Sequence, residues 1–342
     1  MLNLVHELVL SRPDDWHLHI RQAEVMKQVL PHSARCCGRA VIMPNTTPAI
    51  RNGEDIRRYR DEIAAAQTGQ PYQLEPLMTF KIVPETTVDD VATAVAAGAF
   101  AGKVYPKNMT TNAHDGVEDY TALYPVFARM EAYRIPVLLH GESPVPGTFC
   151  LDREAEFMSI LVALAKDFPE LKIVLEHVTT QVAVETVLSL GPNVAATVTL
   201  HHMLLTLDDV VGYNLEPHHF CKPLAKRPTD RNAVRDFAMS GNRKALFGSD
   251  SAPHRRDKKE CTSGCAGIWT APVLIEKLAE TFEDQDKLDA LPGFLHAGAD
   301  FHGLKRTTET IRLVRESHVV PAEINGIVPF MAGRELRWKL AA

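Results

Sequence analysis

Residues 12–21 read RPDDWHLHIR. A proline bounds this run on its N-terminal side, residues 15–20 have the composition of a short strand, and a strand's two-residue period sends the imidazoles of His17 and His19 to one face near its end. Seven more short runs rich in β-branched and apolar residues follow, at 39–45, 75–82, 101–106, 136–142, 172–178, 194–202 and 245–250. Helical periodicity fills the intervals. Val88, Val91 and Val95 share a face behind a Thr87-x-x-Asp90 cap, and Val234, Phe237 and Ala238 do the same between Asp230 and a stop at Gly241. This alternation requires parallel strands with helical crossovers. Eight repeats close into an α/β fold of the (β/α)8 TIM-barrel type, whose site lies at the C-terminal ends of the strands.

Length and composition fit that architecture. The 342 residues are 45% hydrophobic and 23% charged, enough for one large core and too ordinary for disorder or a fibrous repeat. Residues 1–342 are accordingly read as a single barrel domain with short extensions at both ends. The roughly fourteen residues before the first strand are too few for a companion β-domain and are expected to add only an edge strand. Residues 326–338 alternate enough for a short returning strand or hairpin. A net charge of −6 and a pI near 6.2 carry no electrostatic footprint for nucleic acid or an anionic membrane, which leaves a small molecule as the expected partner. No run reaches the ~18 uncharged apolar residues of a membrane span, and the opening MLNLVHELVL lacks a basic leader and a small-residue cleavage pattern. Six scattered cysteines suit a reducing compartment, so the expected location is cytoplasmic. Cys261 and Cys265 have the look of half a zinc finger, but the other ligands at finger spacing are missing.

Residues able to do chemistry collect at strand ends. His17 and His19 close the first strand, Asn45 the second, His140 the fifth, His177 the sixth and Asp250 the eighth, with Lys103 inside the fourth. Any one of these histidines, among fifteen in the chain, is more often a hydrogen-bonded core or rim residue than a ligand. Their joint position changes that balance, because four imidazoles and a carboxylate converging on one barrel mouth form a nitrogen and oxygen set suited to zinc. An inward lysine would be a costly unpaired cation, but burial depresses its pKa and frees a neutral amine. Such an amine can add carbon dioxide to become a carbamate able to bridge two metals. Arg21, two residues past His19 on the same period, offers the fork that a carboxylate prefers, with a rim salt bridge as the alternative. The doublets His201-His202 and His218-His219 read as rim residues or supports behind the ligands.

RPDDWHLHIR, VIMPN, GKVYPKNMTTN, LLHGE, LEHVTT and FGSDSAPH, in that order, resemble the dihydroorotase family of the amidohydrolase superfamily in its short, single-domain bacterial type, over about 12–338. The resemblance implies a hydrolase with two Zn2+ ions per subunit. His17, His19 and Asp250 would hold one, His140 and His177 the other, and N-carboxylated Lys103 with a hydroxide would bridge both. It also implies that Arg21, Asn45 and His254 grip the substrate's α-carboxylate, and that backbone groups near Lys222 and Ala266 read the ring amide. His19 and His140 would border the substrate as well, and Asp250 would shuttle the proton as general acid and base. The implied reaction is the reversible closure of N-carbamoyl-L-aspartate to L-dihydroorotate in pyrimidine biosynthesis, and the implied assembly is a homodimer.

The loop 107–116, KNMTTNAHDG, is polar and poor in apolar anchors, and is expected to be mobile and to close Thr110 and Thr111 over a substrate carboxylate. Two places depart from the family. Residues 143–157, SPVPGTFCLDREAEF, lack acidic residues before the DREA run, and Lys222 stands where an apolar residue is usual. The same ligand set would serve a hydantoinase or ureidase, or survive in an inactive barrel scaffold. Arg21, Asn45 and His254 argue for a substrate bearing an α-carboxylate, and the complete ligand set argues against a scaffold.

Overall fold

The computed structural model describes residues 6–341. The chain enters through β1 (Glu7–Ser11), which lies outside the barrel. The barrel strands follow as β2 (Asp14–Leu18), β3 (Arg39–Ile42), β4 (Glu75–Ile82), β5 (Ala101–Val104), β6 (Val137–His140), β7 (Ile173–Glu176), β8 (Val194–Val198) and β9 (Ala245–Phe247). Each pairs in parallel with the next, so the sheet order is the chain order. Closure comes from the segment just beyond β9: Asp250 N donates to His17 O at 2.9 Å and His19 N donates to Ser251 O at 3.2 Å. The site residues are therefore also the residues that complete the ring.

Helices Ala23–Cys36, Gly53–Gln67, Val88–Ala96, Tyr124–Tyr133, Arg153–Asp167, Gln181–Ser189, Pro228–Met239 and Leu291–His302 pack around the outside. The Thr87 box forms as expected, with Thr87 Oγ1 accepting from Asp90 N at 3.1 Å and Asp90 Oδ2 accepting from Thr87 N at 2.8 Å. All eight expected strands are present, β4 with the bounds expected and the others shorter. The largest correction falls on 194–202: β8 stops at Val198, and Thr199 caps a helix, Leu200–Leu204, by accepting from His202 N at 3.2 Å. His201 and His202 are consequently buried on that helix, not placed at a rim.

Both chain ends meet in a small sheet. β1 pairs antiparallel with β10 (Thr310–Val314), so the N-terminal extension does supply an edge strand, of this sheet and not of the barrel. The tail forms a two-stranded ladder of β11 (His318–Val319) with β12 (Glu335–Leu336), and then β13 (Lys339–Leu340) pairs with β10. Of the short returning strand or hairpin expected within 326–338, the strand is present as β12, paired with β11 from outside that stretch. Residues 1–5 of the apolar opening lie outside the described residues. No helix among the described residues is long and apolar enough to cross a membrane.

Strand alternation carries the barrel from an apolar floor to a polar mouth. Val41, Ala101, Leu138, Val174, Ala195 and Leu246 cluster with Trp16 and with Ala297 and Ala299 of the last helix. Gly298 admits the indole to that helix, since a Cβ there would come within 2.0 Å of Trp16 Nε1. Two residues further along the same strand faces come Lys103, His140, Glu176 and Thr197, each 1% exposed or less.

Candidate active site

His17 and His19 bring their Nε2 atoms to 3.3 Å, as one strand face demands, and Asp250 Oδ1 lies 3.3 Å from the first and 3.2 Å from the second. The His177 ring sits 5.0 Å from that of His17 and 4.7 Å from that of His140. Ligand atoms of His17, His177 and Asp250 lie within 4.8 Å of one another. Among the described residues, Lys103 Nζ and His177 Nδ1 are buried without a hydrogen-bond partner. An unsatisfied buried polar atom costs about 1–3 kcal/mol. Two of them beside three imidazoles and a carboxylate mark a place built for something to bind.

Carboxylates behind the rings set which nitrogen faces the centre. Glu176 Oε2 accepts from His17 Nδ1 at 2.5 Å and from Thr197 Oγ1 at 2.8 Å, leaving His17 Nε2 as the lone pair beside Asp250. Thr197 Oγ1 in turn accepts from His177 N at 2.6 Å. Glu142 Oε2 pairs with His140 Nε2 at 2.8 Å, which leaves Nδ1 as the ring nitrogen outside that contact. His177 and Asp250 have φ of 42° and 40°, and Arg21 has 58°. This left-handed backbone costs a non-glycine residue on the order of 1–3 kcal/mol, a strain that gathers where function needs it. It also turns His177 to the same interior as Glu176, its neighbour in sequence.

Burial dominates the protonation states. It pushes His19 down to about 4 against the pull of Asp250, and holds His177 well below the ordinary imidazole range. Both rings are thus neutral lone-pair donors near neutral pH. Burial lowers Lys103 to about 8, although Glu176 and Asp250 favour its cation. For Asp250 burial acts upward, but His17 and His19 outweigh it and hold the carboxylate below its ordinary range.

A small pocket opens over this cluster. His17, His19, Arg21, Asn45, Thr110, Thr111, His140, His177, Lys222, Asp250 and Ala266 line it, joined by Tyr105, Ala252 and Gly267. Lys103 is sealed beneath, fully buried. His254 stands behind Arg21, its Nε2 3.0 Å from Arg21 Nη2 and 3.0 Å from Ala266 O, and it borders an adjoining pocket. Arg21 Nε is fixed on Pro253 O at 2.8 Å. Asn45 Nδ2 donates to Thr111 O at 3.3 Å, and Asn112 Nδ2 donates to Asn45 O at 2.8 Å, so the 107–116 loop rests on the end of β3. The loop has anchors that its apolar content does not reveal: Asp115 pairs with Arg51 and Lys81, Lys81 Nζ donates to Asn112 O at 2.6 Å, and Ala113 is buried.

No residue of 143–157 lines the cavity. His218 and His219 are satisfied elsewhere, by Glu260 Oε1 at 2.9 Å and Asp209 O at 2.9 Å. Sequence reading passed over Tyr105, Glu142 and Glu176. Their signals were present: Tyr105 repeats Lys103 at strand period, Glu142 repeats His140, and Glu176 is a carboxylate in the otherwise apolar run IVLEH.

An eight-stranded parallel barrel with histidines, a lysine and an aspartate at its mouth defines a class, and the model of the amidohydrolase family matches residues 53–261. The chain belongs to the amidohydrolase family. Within it the chain belongs with the dihydroorotases: it is 42% identical to the dihydroorotase of Pseudoalteromonas atlantica, across 99% of this chain and 100% of that one. The crystal structure of dihydroorotase from Campylobacter jejuni superposes with a TM-score of 0.90 at 37% identity, covering 100% of this chain and 99% of that one. Dihydroorotase from Saccharomyces cerevisiae, solved with 5-fluoroorotic acid, gives 0.91 at 34% identity over 98% and 99%.

Proposed function

We propose that this chain closes N-carbamoyl-L-aspartate to L-dihydroorotate and reopens it, a step of de novo pyrimidine synthesis, on a pair of Zn2+ ions. The observation that carries the reading is the fully buried Nζ of Lys103, without a hydrogen bond among the described residues, beneath a cavity lined by four imidazoles, Asp250 and Arg21. His17, His19 and Asp250 would hold one cation and His140 and His177 the other, with the Lys103 amine carboxylated by carbon dioxide to lie between them. When bound, the cations supply Lewis-acid polarisation of a carbonyl and bring the pKa of a water toward neutrality.

The remaining duties belong to the protein. Arg21 offers a guanidinium, and Asn45 an amide, to the substrate's α-carboxylate, while His254 braces Arg21 from behind. Thr110 and Thr111 add hydroxyl groups from the loop above, and Lys222 and Ala266 border the ring amide. Asp250, held ionised by His17 and His19, takes the proton in one direction and returns it to the ring nitrogen in the other. A dianion and a proton become a monoanion and water, so acid favours closure and base favours opening. The reading includes a homodimer working in the cytoplasm.

Metal analysis with a carbamoyl aspartate cyclisation assay tests it. The purified protein should carry two zinc ions per chain and turn over both substrates, lose activity to a chelator, and recover it with Zn2+. A metal-loaded protein that opened dihydrouracil or hydantoin but left dihydroorotate untouched would sink the assignment in favour of a ring without the carboxylate.

A further inference from the structure

Just beyond β8, beside the cavity wall, Cys221 Sγ lies 3.6 Å from His202 Nε2 and 3.3 Å from Pro223 O, and His202 Nε2 lies 3.0 Å from the same oxygen. Zinc bonds of about 2.0–2.1 Å to nitrogen and 2.3 Å to sulfur put tetrahedral neighbours roughly 3.5 Å apart, so this triangle is close to the face of a zinc tetrahedron. Ligand atoms of His201, His202 and Cys221 lie within 4.8 Å of one another, and all three residues are buried. Hydrogen bonds to Pro223 account for His202 and Cys221 on their own. They do not account for His201, which is 0% exposed and among the described residues has no hydrogen-bond partner for either ring nitrogen. Its ring centroid is 4.4 Å from that of His202. On the far side of His202, Nδ1 is 2.9 Å from Thr199 Oγ1, a hydroxyl that donates to Nδ1 while Nε2–H faces Pro223 O and that can accept Nδ1–H once Nε2 gives its lone pair to a cation.

We propose that His201, His202 and Cys221 bind a thiophilic divalent cation, Zn2+ in the first instance, with the Pro223 carbonyl beside them as an oxygen donor. The site is independent of the reaction assigned to the cavity. On binding, the Cys221 thiol gives up its proton to solvent and the lone pairs of two imidazoles replace hydrogen bonds that are missing or shared. His201 and His202 lie on the short helix after β8, and Cys221 directly precedes Lys222 in the cavity wall. Phe220 O also accepts from Gly267 N at 2.9 Å and Lys259 Nζ at 2.8 Å. A cation here clamps that helix to the wall.

Cobalt-loaded full-length protein reads the site directly, because no ligand assigned to the His17–Asp250 centre carries sulfur. The parent should show a near-ultraviolet thiolate-to-cobalt band that a Cys261→Ser, Cys265→Ser double variant keeps. Cys221→Ala should lose the band together with one cobalt per chain. A parent without the band, or a band that survives Cys221→Ala, overturns the proposal. Should that variant fail to fold, anomalous diffraction from zinc-soaked parent crystals decides: a peak among His201, His202 and Cys221 supports the site, and its absence at full loading of the other centre refutes it.

Discussion

Lys103 is buried without a hydrogen bond to its Nζ among the described residues, and that nitrogen lies 5.3 Å from the centroid of the Tyr105 ring. Lys103→Ala should therefore bind fewer than two zinc ions and lose nearly all turnover, with partial rescue by short carboxylic acids. Two bound zincs and full activity in that variant would remove the lysine from the centre. Burial also sets a pH dependence. Burial lowers the folded amine to about 8, below the ordinary lysine value, so the neutral amine that carbon dioxide requires is half populated near pH 8. Below that point the neutral fraction falls about tenfold per pH unit. At fixed dissolved carbon dioxide, zinc reactivation of the metal-free protein should accelerate as pH rises toward 8 and level off above it. A rate flat from pH 6 to 9 would mean that amine deprotonation does not limit assembly. Arg21 is tested by geometry instead of charge. Arg21→Lys keeps the cation but loses the fork, so KM for dihydroorotate should rise while hydrolysis of dihydrouracil, which has no carboxylate, changes little; equal losses would assign Arg21 to structure, through Pro253 and His254.

At the scale of elements, the strands were legible because each barrel strand repeats apolar then polar on one face, as in Ala101, Lys103, Tyr105 and Leu138, His140, Glu142. The inward-facing polar residues could be placed at the mouth because they continue that face. What alternation could not supply was the turn at each strand's end: His177 and Glu176 are neighbours yet both face inward, because φ of 42° at His177 breaks the strand rule. The helix at Leu200–Leu204 was hidden for a related reason, since VTLHHML is as plausible a strand as a helix until Thr199 is seen to cap it. The 107–116 loop was read by its lack of apolar anchors, and its ionic ones, Arg51 and Lys81, lie far off in sequence. Those anchors hold the loop through Asp115, leaving Thr110 and Thr111 to face the cavity. The Thr110→Ala, Thr111→Ala double variant should consequently keep its metals and its Tm while losing at least an order of magnitude in kcat/KM, about 1.4 kcal/mol per tenfold. Unchanged kinetics would reduce the loop to a connector.

The whole molecule separates stability from chemistry by position. The cavity draws its lining from residues 17–267, and the tail beyond the last helix contributes none of it. That tail belts the helix Leu274–Glu283 instead: Arg337 N donates to Glu280 Oε1, Leu340 N reaches Glu276 Oε1 at 3.4 Å, and Trp338 Nε1 reaches Glu283 Oε2 at 3.3 Å. Glu276 also takes Arg35 Nη2 at 2.7 Å, which ties the first barrel helix to the same belt. Trp338 is 0% exposed, so truncating it leaves a large void that the short tail strands cannot refill. Trp338→Ala should cost about 3–5 kcal/mol and lower Tm by on the order of 10 °C. Kinetics per folded molecule, measured well below that Tm with metal content matched, should stay within about twofold of the parent, a difference of roughly 0.4 kcal/mol. Were kcat to fall in step with Tm instead, the belt would have to act on the barrel mouth through Arg35 and the helix Ala23–Cys36, whose N-terminus follows Arg21 directly.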